Sequence, residues 1–134
     1  SVIKEKAWKD EGKLSNTFLE NVFIKYLNGP LFFGFTSEFI SVSKHIPSTA
    51  SIVIIRMDRV PYVDQSGLFA LEDVLMELSQ RKITCYMVGV KSQPKYLMKS
   101  IRIIGKLIPD EHLFETFEEC KNWVVSQQKA IPSN

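Results

Sequence analysis

A carboxylate, a hydroxyl and a glycine fall within four positions at Asp64, Ser66 and Gly67. They sit in the run Asp58-Arg59-Val60-Pro61-Tyr62-Val63-Asp64-Gln65-Ser66-Gly67-Leu68, after an apolar stretch and ahead of a helical one. Two chemistries suit such a grouping. A serine with an acidic neighbour can act as a nucleophile if a base activates it. A serine in the first turn of a helix can instead carry a phosphate, because free amides and the positive end of the helix dipole tolerate negative charge there. Asp64 would cap that helix by accepting from the amide of Ser66 or Gly67, and its charge would oppose a phosphate beside it. A plain cap and helix start is the third reading of the same residues.

The nucleophile reading needs partners that the sequence does not supply. His45 and His112 are the two histidines, and neither is near Ser66. No Gly-x-Ser-x-Gly elbow is present. No catalytic set is therefore expected, although a triad is defined in space and not in sequence. The histidines also lack metal-ligand spacing, so no metal site is expected. Cys85 lies in an apolar run and Cys120 in a helical one, which favours two buried thiols over a disulfide.

Composition narrows the classes further. The 134 residues suit one domain with one core, and 45% hydrophobic against 24% charged is an ordinary globular balance. A net charge of +2 gives no sign of nucleic acid as a partner. No run reaches the ~20 apolar residues of a membrane span, and no signal peptide is visible. The start at Ser1, without methionine, is expected of a processed chain or of a piece of a longer one.

Two further features could bind. Lys95, Lys99, Arg102 and Lys106 recur at helical intervals, which puts them on one face of a single helix. That face is either simply solvated or a docking surface for an acidic protein or an anionic membrane. Phe69 falls one residue off a leucine stripe. It either packs at the helix margin or is exposed beside Ser66 as a contact residue.

The elements that must position these groups follow from periodicity. Residues 1–19 are polar and lysine-rich and read as a lead-in or linker, with a basic membrane-proximal segment as the functional alternative. Asn28-Gly29 between two β-branched and aromatic runs predicts a hairpin over 22–35. Thr36 then caps a helix carrying Phe39, Val42 and Ile46. The apolar run 51–57 reads as a central strand covered on both faces. Leu68, Leu71, Leu75 and Leu78 form the inner stripe of an amphipathic helix. A second buried strand spans 83–89. Pro94 opens a helix that carries Leu97, Ile101 and Ile104 inward and ends at Gly105. Residues 106–109 read as a short edge strand. Thr116 and Glu119 make a capping box for a last helix with Phe117, Cys120 and Val124 facing in, and 129–134 is a tail. The expected architecture is α/β: a mixed, mostly parallel sheet with an N-terminal β-hairpin and about four helices.

Two segments carry a family resemblance. Asp64-Gln65-Ser66-Gly67-Leu68, after Met57-Asp58 and Val60-Pro61, resembles the signature loop of STAS domains. That family includes bacterial anti-sigma-factor antagonists and the cytoplasmic C-terminal domains of sulfate-permease (SulP) anion transporters. Leu27-Asn28-Gly29-Pro30-Leu31-Phe32-Phe33-Gly34 resembles the hairpin of the transporter-attached members, although Gly34-Phe35-Thr36 replaces their usual alanine-asparagine-alanine-like run.

The resemblance spans 20–128 and implies a non-catalytic regulatory and protein-interaction domain. It implies a place on the cytoplasmic face of the bacterial inner membrane, with the parent's transmembrane domain as partner. Acyl carrier protein, or another acidic protein, is a further implied partner for the basic stripe. In the antagonists the serine at the position of Ser66 is phosphorylated by a partner kinase, which makes a free-standing antagonist the alternative. Some members bind nucleotide at loops matching 64–67 and 90–93, but no phosphate-binding glycine pattern occurs here, and no cofactor is expected. The oligomeric state is left open, a homodimer included.

Overall fold

The computed structural model describes residues 7–30 and 44–130. Among the described residues, four strands, β1 (Val22–Asn28), β2 (Ile52–Arg59), β3 (Thr84–Val88) and β4 (Leu113–Phe114), form a sheet in sequential order. All three pairings are parallel. Four α-helices accompany them among the described residues: α1 (Asn16–Asn21), α2 (Gln65–Gln80), α3 (Ser92–Ser100) and α4 (Phe117–Ala130). The antiparallel arm expected after Gly29, and most of the helix expected from Thr36, lie outside the described residues.

The sheet is covered on both faces, as the apolar run of β2 requires. Successive side chains of a strand point to opposite sides. Val53, Ile55 and Met57 pack with Cys85 and Met87 beneath the stripe of α2 and Met98 of α3. Ile54 packs with Tyr86 and Val88 on the other face, against Phe18 of α1 and Phe117, Cys120 and Val124 of α4. The leucine stripe of α2 is buried throughout, as its spacing predicts. The Thr116 hydroxyl accepts from the Glu119 amide at 3.2 Å, so the expected cap starts α4.

Three expectations are corrected. The helix predicted to run from Pro94 to Gly105 stops at Ser100, because Arg102 takes a left-handed conformation (φ 65°). The turn this makes sends Ile103 and Ile104 into the core and leaves Ile101 partly exposed. Residues 106–109 form no strand: Ile108 makes one isolated bridge to Ile104, and the edge strand is Leu113–Phe114. Residues 7–19 are held on the domain rather than leading loosely into it. Phe18 is buried, and so is the carboxylate of Glu11.

Candidate functional site

The site lies at the carboxyl ends of β1, β2 and β3, where open α/β sheets present their functional loops. Beyond β2 the chain turns at once, with the Val60 amide donating to the Met57 carbonyl at 3.0 Å. Val60 and Val63 are fully buried and pin the loop, while Pro61 and Tyr62 stay at the surface. Asp64 then caps α2, its Oδ1 accepting from the Gly67 amide at 2.8 Å. Ser66 falls in the first turn and is half-buried, and Phe69 is 46% exposed while Leu68 beside it is buried. The loop expectation for Asp64 is therefore met as a cap.

A second loop closes on the first. The Gln93 side chain donates from Nε2 to the Val63 carbonyl and accepts at Oε1 from the Val63 amide, each at 2.9 Å. One amide side chain thus satisfies both backbone groups of Val63, as a neighbouring strand would. Loop 58–67 is tied to the start of α3, so the two segments singled out from sequence adjoin. His112 contributes elsewhere, its Nδ1 2.9 Å from the Cys85 carbonyl and its ring against Tyr86.

Sequence reasoning missed the densest polar cluster, which is built on Arg56. This guanidinium is 1% exposed and directly follows the apolar run Ile52 to Ile55 of β2. Its Nε donates to Asp58 Oδ1 at 3.1 Å, and Nη2 donates to Asp58 Oδ2 at 2.9 Å and to Asp10 Oδ2 at 2.6 Å. Nη1 donates to Asp10 Oδ1 and, at 3.0 Å, to Glu11 Oε2. The other Glu11 oxygen accepts from the Tyr26 hydroxyl. The rings of Trp8 and Phe117 flank the guanidinium at 4.5 and 5.1 Å, and Arg59 lies over Trp8 at 3.8 Å.

An unpaired buried charge is costly, and this one is fully hydrogen-bonded. Burial disfavours the Arg56 cation, but hydrogen bonds to Asp10, Asp58 and Glu11 outweigh it and raise its pKa. Hydrogen bonding from Arg56 in turn holds the Asp10 carboxyl below its usual range. The cluster fastens residues 8–11 to the sheet and reaches the Ser66 loop through Asp58. One sequence signal pointed to it: Arg56 and Asp58 are two apart on a strand and share a face.

The basic residues do not form the single helical face expected. Lys95 and Lys99 are on α3, whereas Arg102 and Lys106 lie beyond its end, and Lys99, Arg102 and Lys106 are exposed. Among the described residues, no group of three His, Cys, Asp or Glu side chains could hold a metal. Cys85 and Cys120 are free and buried, and burial pushes the Cys120 thiol up to about 12 and the Cys85 thiol higher still. No described helix is long and apolar enough to cross a membrane.

A parallel sheet covered on both faces, with a capped serine loop at its carboxyl edge, defines an open α/β domain. The STAS domain model matches residues 13–120, and the chain belongs to that family. It is 25% identical over 121 residues to the bicarbonate transporter BicA of Picosynechococcus. That match covers 90% of this chain but 20% of the transporter, so the chain spans about a fifth of that relative's length. The STAS domain of a SulP transporter from Vibrio cholerae has the same fold, with a TM-score of 0.72 at 25% identity over 89% of each chain. The anti-sigma factor antagonist SpoIIAA shares the fold, with a TM-score of 0.62 at 14% identity over 85% of this chain and 93% of its own.

Proposed function

We propose that this chain is the non-catalytic regulatory and protein-interaction domain of a sulfate-permease-type anion transporter. It would work at the cytoplasmic face of a bacterial inner membrane by contacting the transmembrane domain of its parent. The observation that carries this reading is the match to BicA, which takes in 90% of this chain and a fifth of the transporter. The contact region is the start of α2. There Asp64 fixes the turn, Ser66 lies in the first turn and Phe69 offers an exposed aromatic surface. The Arg56 cluster connects that loop to the segment entering from residue 7. Movement of the entering chain would thus be felt at the loop.

The gene upstream of residue 1 tests this directly. Several apolar spans of ~20 residues are expected there, and a reading frame that opens near residue 1 without them overturns the proposal. In the full-length transporter, Phe69→Glu should change the transport rate at equal protein level.

The position of Ser66 supports a second reading, a free-standing antagonist switched by phosphorylation. A phosphate on Ser66 would gain from the α2 dipole and repel Asp64, altering any surface docked on α2. Incubation with a cognate kinase should then add one phosphate at Ser66 by mass spectrometry. An unmodified serine removes this reading.

A further inference from the structure

We propose that Lys91, Lys95, Lys99, Arg102 and Lys106 form a surface that binds the anionic headgroups of a lipid bilayer. Residues 91–109 hold these five basic residues and no acidic one. Four of the five are exposed and Lys95 is partly so. The left-handed turn at Arg102 keeps Arg102 and Lys106 at the surface although the helix has ended. Among the described residues, Lys99 pairs with Asp110 at 4.0 Å, with both side chains more than half exposed, and such pairs bind weakly. Glu111 follows it on the same turn.

Two independent features point to lipid rather than to an acidic protein. Tyr96 is 73% exposed and Ile101 37% exposed within the basic run. An aromatic ring and an aliphatic side chain set among cations suit the boundary between headgroups and acyl chains. Four of the five cations are lysines, which are hydrated point charges. Recognition of individual carboxylates favours the planar fork of arginine, whereas a charged surface attracts either. Lys91 also occupies the N-cap of α3, without a side-chain cap bond. The helix dipole disfavours a cation there, so the residue is a local cost that an anionic surface offsets. The inner side of α3 is closed, with Pro94 and Met98 buried, so the outer side is the one presented.

This inference takes its setting from the transporter reading, but its test needs no transporter. The whole chain is sedimented with phosphatidylcholine vesicles, with and without phosphatidylglycerol. Binding should appear with phosphatidylglycerol and fade as salt shortens the Debye length. Lys95→Glu/Lys99→Glu/Arg102→Glu should lower the partition coefficient at least about tenfold, with an unchanged circular dichroism spectrum. Tyr96→Ser should weaken binding, and Lys82→Glu, at an exposed lysine outside residues 91–109, should leave it unaltered. Equal binding by the triple variant overturns the proposal, as does no binding to either vesicle. Polyglutamate binding as tight as vesicle binding also overturns it, by assigning the surface to an acidic protein. Failure here leaves the upstream-gene test of the transporter reading untouched.

Discussion

Arg56 and Glu11 meet across 45 residues of sequence, Nη1 donating to Oε2 at 3.0 Å with both side chains out of water. This pair joins the segment before the family match to the centre of the sheet. Removing one partner of such a pair strands the other's charge. Arg56→Met is therefore expected to cost about 3–5 kcal/mol in urea unfolding. Glu11→Gln keeps an acceptor and a similar shape, and should cost less. The double variant Arg56→Met/Glu11→Leu should recover part of the loss, because it leaves neither charge buried. A loss under ~1 kcal/mol for Arg56→Met would mean that the cluster orders residues 8–11 without stabilising the fold.

Asp10 gives the cluster a pH dependence with a defined sign. Its folded pKa lies below the ordinary value of 3.8, chiefly through hydrogen bonding from Arg56. A carboxyl with a depressed folded pKa contributes stability above its unfolded pKa and loses it as pH falls through the folded one. Stability should thus be flat in this respect near neutrality and decline below about pH 4. Asp10→Asn should flatten that decline. Because the Asp10 side chain is 53% exposed, solvent screens the pair, and the variant should lose no more than about 1 kcal/mol at pH 7. Denaturant midpoints across acidic pH measure both effects.

The central strands and their helices were legible because burial imposes a period. Ile52 to Ile55 and the leucines of α2 announce what covers them. The Arg56 cluster was not legible because its parts are polar and distant. Trp8, Asp10 and Glu11 look like a solvated lead-in until Arg56 is placed opposite them. The end of α3 was misread for another reason. Gly105 is the residue whose chemistry suits a left-handed stop, yet arginine occupies the one that ends the helix, since Ile103 and Ile104 must reach the core. A strand of two residues such as β4 has too few positions to show any alternation. In the candidate site, the cap by Asp64 could be read from spacing, whereas the clamp by Gln93 spans 30 residues and left no local trace.

That clamp can be separated from the cap. Asp64→Ala removes one hydrogen bond at the start of α2 and should cost about 1 kcal/mol. Gln93→Ala leaves the Val63 amide and carbonyl without their partner, and Val63 is fully buried. The expected cost is about 1–3 kcal/mol. The two variants should differ more clearly in hydrogen exchange. Gln93→Ala should speed exchange at the Val63 amide, which Gln93 protects directly, whereas Asp64→Ala should speed it at Gly67. If Gln93→Ala leaves the Val63 rate unchanged, the two loops are not coupled through this side chain.

Gly89 tests the link between the Arg56 cluster and the sheet edge. Its φ of +71° suits glycine, and a Cβ there would lie 2.7 Å from Cγ of Asp58 and 3.0 Å from its Cα. Gly89→Ala therefore adds left-handed strain, about 1–2 kcal/mol, to a collision with the carboxylate that holds Arg56. Destabilisation of at least ~2 kcal/mol is expected. In an Asp58→Ala background the collision with the carboxylate is gone, while the close approach to the backbone of residue 58 remains. The same substitution should then cost less without becoming neutral, giving a coupling of about 0.5–3 kcal/mol in a double-mutant cycle. Strict additivity would show that Asp58 moves away freely and that Gly89 is required for its backbone conformation alone.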